Sequence, residues 1–156
     1  MSLTGLEFRL AQFSHQNLLS DLALRSKASW GYTKGFLEKF KAELTVPERC
    51  LKRNLVQMGY LNQKLIGFYS FSENRGKEPD LNFFFLEPEF KAQGLGRALF
   101  ENAVETAKSY GWISFLICSD PNASAFYQHM GALWVGTLDL PDFPEHSLPI
   151  FRYILS

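Results

Sequence analysis

The chain has 156 residues, 46% of them hydrophobic and 15% aromatic, which suits a single globular domain over residues 1–156 with a buried core. Lys plus Arg and Asp plus Glu each number 16, so no broad basic field speaks for a nucleic-acid partner. No apolar run is long enough to cross a bilayer and no signal-like segment opens the chain, so a cytoplasmic protein with no membrane partner is expected, while Cys50 and Cys118 are too few for a disulfide framework or a zinc site.

Leu6 to Leu10 alternates as a first strand. Ser14 is placed to cap a helix with Leu18, Leu19, Leu22 and Ala23 on one face, and Trp30-Gly31-Tyr32 breaks that helix. Thr33 can cap a second helix carrying Phe36, Leu37, Phe40 and Leu44, ended by Pro47, so that the two helices pair as a hairpin. Val56 to Leu61 and Leu65 to Phe71 read as an antiparallel strand pair around the turn Asn62-Gln63-Lys64, and Glu73 to Pro79 as a polar loop. Leu81 to Leu86 is almost wholly apolar, the pattern of a central strand buried on both faces.

A helix follows from Leu95. Leu95, Leu99, Phe100, Ala103, Val104 and Ala107 form its inner face, Arg97, Glu101 and Lys108 its outer one, and Gly111 its carboxyl-terminal cap. Ile113 to Cys118 should return parallel to Leu81–Leu86 by a right-handed crossover. A short helix over Ala123–Met130 precedes an antiparallel pair, Leu133 to Leu140 and Leu148 to Ile154, joined by Pro141–Pro149. The sum is an α/β (α+β) fold: a mixed, mostly antiparallel sheet of about seven strands with flanking helices.

The run Gln93-Gly94-Leu95-Gly96-Arg97 lies between the apolar strand and the helix. Two glycines one residue apart let the backbone turn with φ > 0 and bring its N–H groups near an anion, and the helix adds the positive end of its dipole. The expected ligand bears a pyrophosphate. Arg97-Ala98 stands where a Walker loop needs Lys-Ser or Lys-Thr, and Leu99 stands where a dinucleotide fingerprint needs a third small residue. Cys118 reads as a buried strand thiol, and His15, His129 and His146 as surface histidines without metal-ligand spacing, so no metal is expected.

A second segment, Ser119-Asp120-Pro121-Asn122-Ala123-Ser124-Ala125-Phe126-Tyr127, closes with Met130-Gly131-Ala132. Together the two segments resemble the GNAT superfamily of acyl-CoA-dependent N-acyltransferases, over roughly residues 54 to 140. The family's glycine loop, Gln/Arg-x-x-Gly-x-Gly/Ala, is matched with Lys91 in its first slot. Its later pattern, Asn-x-x-Ala-x-x-Phe/Leu-Tyr, is matched with Asp120 in the Asn slot and Asn122 two residues on, and Asn122 is the preferred pantetheine contact.

The resemblance implies direct acyl transfer from acetyl-CoA, the co-substrate, without a covalent enzyme intermediate. Acetyl-CoA would lie where a central parallel pair, the strands ending at Leu86 and Cys118, splays apart. Backbone atoms of Phe84, Phe85 and Leu86 would meet its pantetheine arm, and Lys91, Ala92, Gln93, Gly94, Leu95, Gly96 and Arg97 its pyrophosphate. Tyr127 matches the family tyrosine whose hydroxyl points at the CoA sulfur, and so serves as the acid. Glu87 is the first choice of base and Glu73 the second.

Trp30 and Tyr32 border the region where family members take their acceptor, and Asp139, Asp142 and Glu145 in the late loop could attract a cationic amine. A small-molecule amine is the expected acceptor. The alternatives are a protein N-terminus or lysine as acceptor, and an acyl-CoA sensor that binds without turnover. A homodimer through the carboxyl-terminal strands is compatible with the resemblance.

Overall fold

The computed structural model describes residues 4–74 and 77–156; Arg75 and Gly76, in the polar loop expected over Glu73 to Pro79, lie outside the described residues. The strands form one mixed seven-stranded sheet in the order β1-β2-β3-β4-β5-β7-β6. The chain divides into two compact units, one running to Phe71 and taking in Phe83–Leu99, the other comprising Ser72–Asn82 and Phe100–Ser156.

In the first unit β1 (Leu6–Leu10) pairs antiparallel with β2 (Val56–Leu61), which pairs antiparallel with β3 (Lys64–Ser72). The connecting turn is tighter than the expected three residues. Asn62 and Gln63 alone make it, with φ of 50° and 69°, the double left-handed geometry that matches the twist of a two-residue hairpin. Helix α1 (Gln16–Ala28) is preceded by a 3-10 turn over Phe13–His15, so Ser14 lies inside that turn rather than capping. The start is held instead by Gln12 and His15, whose Nδ1 accepts the Gln12 backbone N–H at 2.9 Å.

Leu19, Leu22 and Ala23 of α1 are buried as expected, whereas Leu18 is 44% exposed. Gly31, at φ 91°, ends this run, and Thr33 caps α2 (Lys34–Phe40) by accepting the Phe36 N–H at 3.2 Å. Pro47 does not merely end a helix. It starts a further short one, α3 (Glu48–Lys52), as proline can where the first N–H has no helical partner.

Strand β4 (Asp80–Leu86) crosses from the second unit into the first. Leu81 and Phe83 are buried, whereas Phe85 on the same face and Asn82, Phe84 and Leu86 on the other are half-buried, so neither face of the apolar run is fully covered. Helix α4 (Leu95–Ser109) likewise begins in the first unit and continues in the second. Its first residue, Leu95, packs with Leu61 and Ile66 and against Leu6, Leu86 and Phe90. Burying one leucine this way stabilises by about 1.5–3 kcal/mol and anchors the head of the helix under the glycine loop.

In the second unit Asp80 and Leu81 of β4 pair in parallel with Leu116 and Ile117 of β5 (Ser114–Cys118). Along α4, Phe100, Ala103, Val104 and Ala107 are buried, and Gly111 at φ 79° closes the helix with its N–H on the Lys108 carbonyl. Helix α5 (Ser124–His129) follows β5. Phe100 is the hub of the aromatic core, with ring centroids 6.2 Å from Phe115, 6.1 Å from Phe126 and 5.3 Å from Tyr153.

The carboxyl-terminal pair differs in length from expectation. β6 (Leu133–Leu140) and β7 (Phe143–Ile154) are joined by Pro141 and Asp142 alone, and β7 lies between β5 and β6. The joining segment expected over Pro141–Pro149 is thus mostly strand: proline cannot donate to a ladder, yet the Pro149 carbonyl still accepts the Ser119 N–H at 2.8 Å. Glu145 is therefore a strand residue, and Asp139 accepts the Ser147 hydroxyl at 2.7 Å within the sheet. Cys118 is exposed and His146 buried, both contrary to expectation: Cys118 ends its strand, whereas His146 lies on an inward position of β7. No helix among the described residues is long and apolar enough to cross a membrane.

Candidate active site

The loop ahead of α4 is built from a strand exit, a 3-10 turn over Pro88–Phe90, and two left-handed residues. These are Ala92 at φ 62° and Gly94 at φ 81°. Gly96, by contrast, already lies in the first turn of α4 in helical conformation, so only one of the two glycines serves the turn. The carbonyl of Gly94 accepts the first helical N–H, from Ala98, at 3.3 Å, and the Gln93 side chain donates back to the Glu89 carbonyl at 2.9 Å. Ala92, Gln93, Gly94 and Arg97 are exposed. The leading N–H groups of a helix have no intrahelical acceptor, and together with the dipole they suit this loop to an anion.

The adjacent end of β4 approaches β3 closely at Gly67, a residue outside the motifs. Gly67 in β3 is buried, and a Cβ added there would meet the Phe85 carbonyl oxygen at 2.5 Å and the Leu86 Cα at 3.2 Å. The Glu87 N–H donates to the Ile66 carbonyl at 2.8 Å, which carries the contact of β3 with this segment to the strand exit. Below, Phe68 packs against Phe83 and Phe85 at 6.0 and 6.1 Å. A single glycine within a strand pattern is the signal that could have identified Gly67.

Glu87 is clasped. Arg25 donates from Nε and Nη2 to its two carboxylate oxygens at 3.0 and 2.8 Å, and this hydrogen-bonded pair raises the Arg25 pKa above its ordinary value. Lys91 is turned toward the end of α1. Its Nζ donates to the Ser29 hydroxyl at 2.6 Å and the Ser26 carbonyl at 3.2 Å, and stands 4.1 Å from the centre of the Trp30 ring. A phosphate-side residue and an acceptor-side residue of the sequence reading are thus in direct contact.

Trp30 is 41% exposed, but Tyr32 is engaged in packing. Its ring stacks on Phe36 at 4.7 Å, and the buried Lys27 ammonium lies 5.0 Å from Tyr32 and 4.4 Å from Phe40. Arg25, Lys27, Ser26 and Ser29 carried no motif signal, because their partners are distant in sequence or belong to the helix end itself.

In the second unit Tyr127 is buried on α5 against Phe126, Phe100 and Phe151, at 5.3, 6.1 and 6.2 Å. Burial, with smaller contributions from the charges of Asp120 and Cys118, pushes its phenol pKa far up, so the hydroxyl stays protonated. Asp120 caps the turn before α5 and accepts both the backbone N–H and the side-chain amide of Asn122, at 2.8 and 3.0 Å. Asn122 is exposed.

Glu73 lines a separate open concavity of about 620 Å³ with Asn74, Lys77, Glu78, Asp80 and Leu116. There Arg152 and the Ser114 hydroxyl hydrogen-bond Glu78 and hold its pKa below the ordinary carboxylate range, while burial pushes Asp80 up against the opposing bond from Asn74.

A family model described as Acetyltransferase (GNAT) family matches residues 20–132. The fold is similar to that of the PaiA N-acetyltransferase of Thermoplasma acidophilum, solved in complex with coenzyme A: 19% identity over 99% of both chains, TM-score 0.73. A GCN5-related N-acetyltransferase from Rhodopseudomonas palustris matches with 14% identity over 99% of both chains and a TM-score of 0.78. The ribosomal-protein-S18-alanine N-acetyltransferase of Escherichia coli matches with 18% identity over 97% of this chain and 94% of its own, at a TM-score of 0.70. No curated protein sequence gave a match.

Proposed function

Since the chain belongs to the GNAT family of acetyltransferases, which draw on acetyl-CoA, we propose that it moves the acetyl group of acetyl-CoA onto the primary amine of a small molecule. The observation that carries this reading is the cradle, an exposed loop with Gly94 at φ 81° feeding directly into α4. Its N–H groups over Gln93 to Arg97 are suited to the pyrophosphate of CoA. The solved complexes of PaiA and of a GNAT acetyltransferase from Elizabethkingia anophelis, with CoA and acetyl-CoA respectively, support the same ligand.

The amine attacks the thioester carbon, an N–C bond forms, negative charge gathers on the carbonyl oxygen, and the C–S bond breaks. The β4 backbone over Phe84 to Leu86 is proposed to take the pantetheine amides and, by an N–H near Leu86, the developing oxyanion. Asn122 is the proposed side-chain contact to pantetheine. Tyr127 is the proposed donor to the departing sulfur, and its raised pKa supports a hydroxyl that is protonated whenever the thiolate forms. Glu87, oriented by Arg25, is proposed to accept the ammonium proton directly or through water. Trp30 and Tyr32 belong to the segment proposed to border the acceptor.

Incubation with acetyl-CoA and a panel of small primary amines, an alanine-terminated peptide and a lysine peptide, reading free thiol, tests the proposal. Thiol release that depends on a small amine is expected. Release with the peptides alone would overturn the acceptor class, and acetyl-CoA binding without release on any amine would make the protein a sensor.

A further inference from the structure

Two side-chain links join the last turn of α1 to the two flanks of the turn that leads into the cradle. On one flank Arg25 holds Glu87 through both carboxylate oxygens. On the other, Lys91 reaches the Ser26 carbonyl, the Ser29 hydroxyl and the face of Trp30. Each contact suits a cation at that spot: the carboxyl end of a helix carries partial negative charge on its free carbonyls, and the indole face is the best aromatic partner for an ammonium. Lys91 also stands in the slot where the family loop has Gln or Arg, and its ammonium faces α1.

We infer that Lys91 is a positioning residue for the acceptor side of the reaction: its ammonium, held by Ser26, Ser29 and Trp30, fixes the Ser29–Tyr32 segment relative to the turn that carries the cradle. This rests on the acetyltransferase reading for its consequence and on the observed contacts for its geometry. With Lys91 in place, the segment proposed to border the acceptor is held to the same turn as Glu87, so amine and base are kept in one frame. Without it, the Ser29 hydroxyl keeps its bond to the Ser26 carbonyl at 2.6 Å but loses its tie to the turn, and Trp30 loses the cation on its face.

The test is Lys91→Met, which keeps the length and deletes the charge, beside Lys91→Arg, which restores a cation able to bond the same groups and stack on Trp30. The expected result is a rise of about tenfold in acceptor KM for Lys91→Met, unchanged acetyl-CoA affinity by calorimetry, and recovery in Lys91→Arg. A second readout needs no activity: with Trp112→Phe and Trp134→Phe, Trp30 is the sole indole, and Lys91→Met should make its fluorescence more readily quenched by acrylamide. Should Lys91→Met fail to fold, Ser29→Ala removes the 2.6 Å partner and carries the same comparison.

Weakened acetyl-CoA binding with an unchanged acceptor KM would overturn the inference and make the Lys91 side chain a phosphate ligand. Unchanged KM, affinity and quenching would overturn it as well. If the parent acetylates no amine, the functional reading fails, and the quenching comparison still decides whether Lys91 holds Trp30.

Discussion

Replacing Gly67 with alanine tests how the end of β4 is positioned. The new Cβ would stand 2.5 Å from the Phe85 carbonyl oxygen, 3.0 Å from the Leu86 Cδ2 and 3.2 Å from the Leu86 Cα. The Leu86 side chain can turn away, but the carbonyl and the Cα are backbone. To reach ordinary contact, β4 must move off β3 by roughly 0.5–1 Å, which costs about 1–3 kcal/mol as overpacking of a filled site.

The same shift displaces the Phe84–Leu86 backbone proposed to orient the thioester, and misplacing a reactive group by about 1 Å costs on the order of 10²-fold in rate. Gly67→Ala should therefore lower the denaturation midpoint in urea, and kcat should fall by more than the loss of folded protein explains. The measurement is paired: urea unfolding for stability, then steady-state rates on protein shown to be folded by circular dichroism. A variant with the parent's stability and the parent's kcat would refute the close-approach argument and the role of this backbone together.

Gly94→Val should cost about 1–2 kcal/mol, since φ is 81° there although the space for a Cβ is open, and CoA affinity by calorimetry should drop sharply; a variant binding as the parent does would remove the loop as the phosphate site. Tyr127→Phe keeps the ring among Phe100, Phe126 and Phe151 and deletes the hydroxyl, so kcat should fall about 10²-fold or more at near-normal acetyl-CoA affinity, and an unchanged rate where chemistry limits turnover would leave thiolate release to water.

Because the Tyr127 pKa is raised on folding, the unfolded chain loses this proton first as pH rises past about 10, and stability should fall there by about 1.4 kcal/mol per pH unit; urea titrations of parent and Tyr127→Phe would show no difference in slope if the reasoning were wrong. Glu78 has the opposite sign: its lowered pKa contributes stability above the ordinary carboxylate range that is lost as pH falls, so Glu78→Gln should flatten the acid limb of the melting curve.

What could be read from the sequence was whatever depends on neighbours in the chain. The period of Leu95, Leu99, Phe100, Ala103, Val104 and Ala107 gave a buried helix face that the structure reproduces, and Gly31, Thr33 and Gly111 marked helix ends because their roles are set by local φ or by one hydroxyl. The family came from two short motifs whose spacing is itself local. Proline misled in both directions, at Pro47 and in β7, because its missing N–H rules out a ladder or helix bond only where that bond is needed.

The tertiary structure decided the partners. Glu87 stands at a strand end and Arg25 closes on it from 62 residues away, while the Lys91 ammonium lies on Trp30 and the end of α1. Nothing local encodes such contacts, since charge and aromatic pairing act through space and the chain brings these groups together only when α1 packs beside the exit of β4. Gly67 is the intermediate case: the residue is visible in the sequence, but the carbonyl it makes room for belongs to another strand.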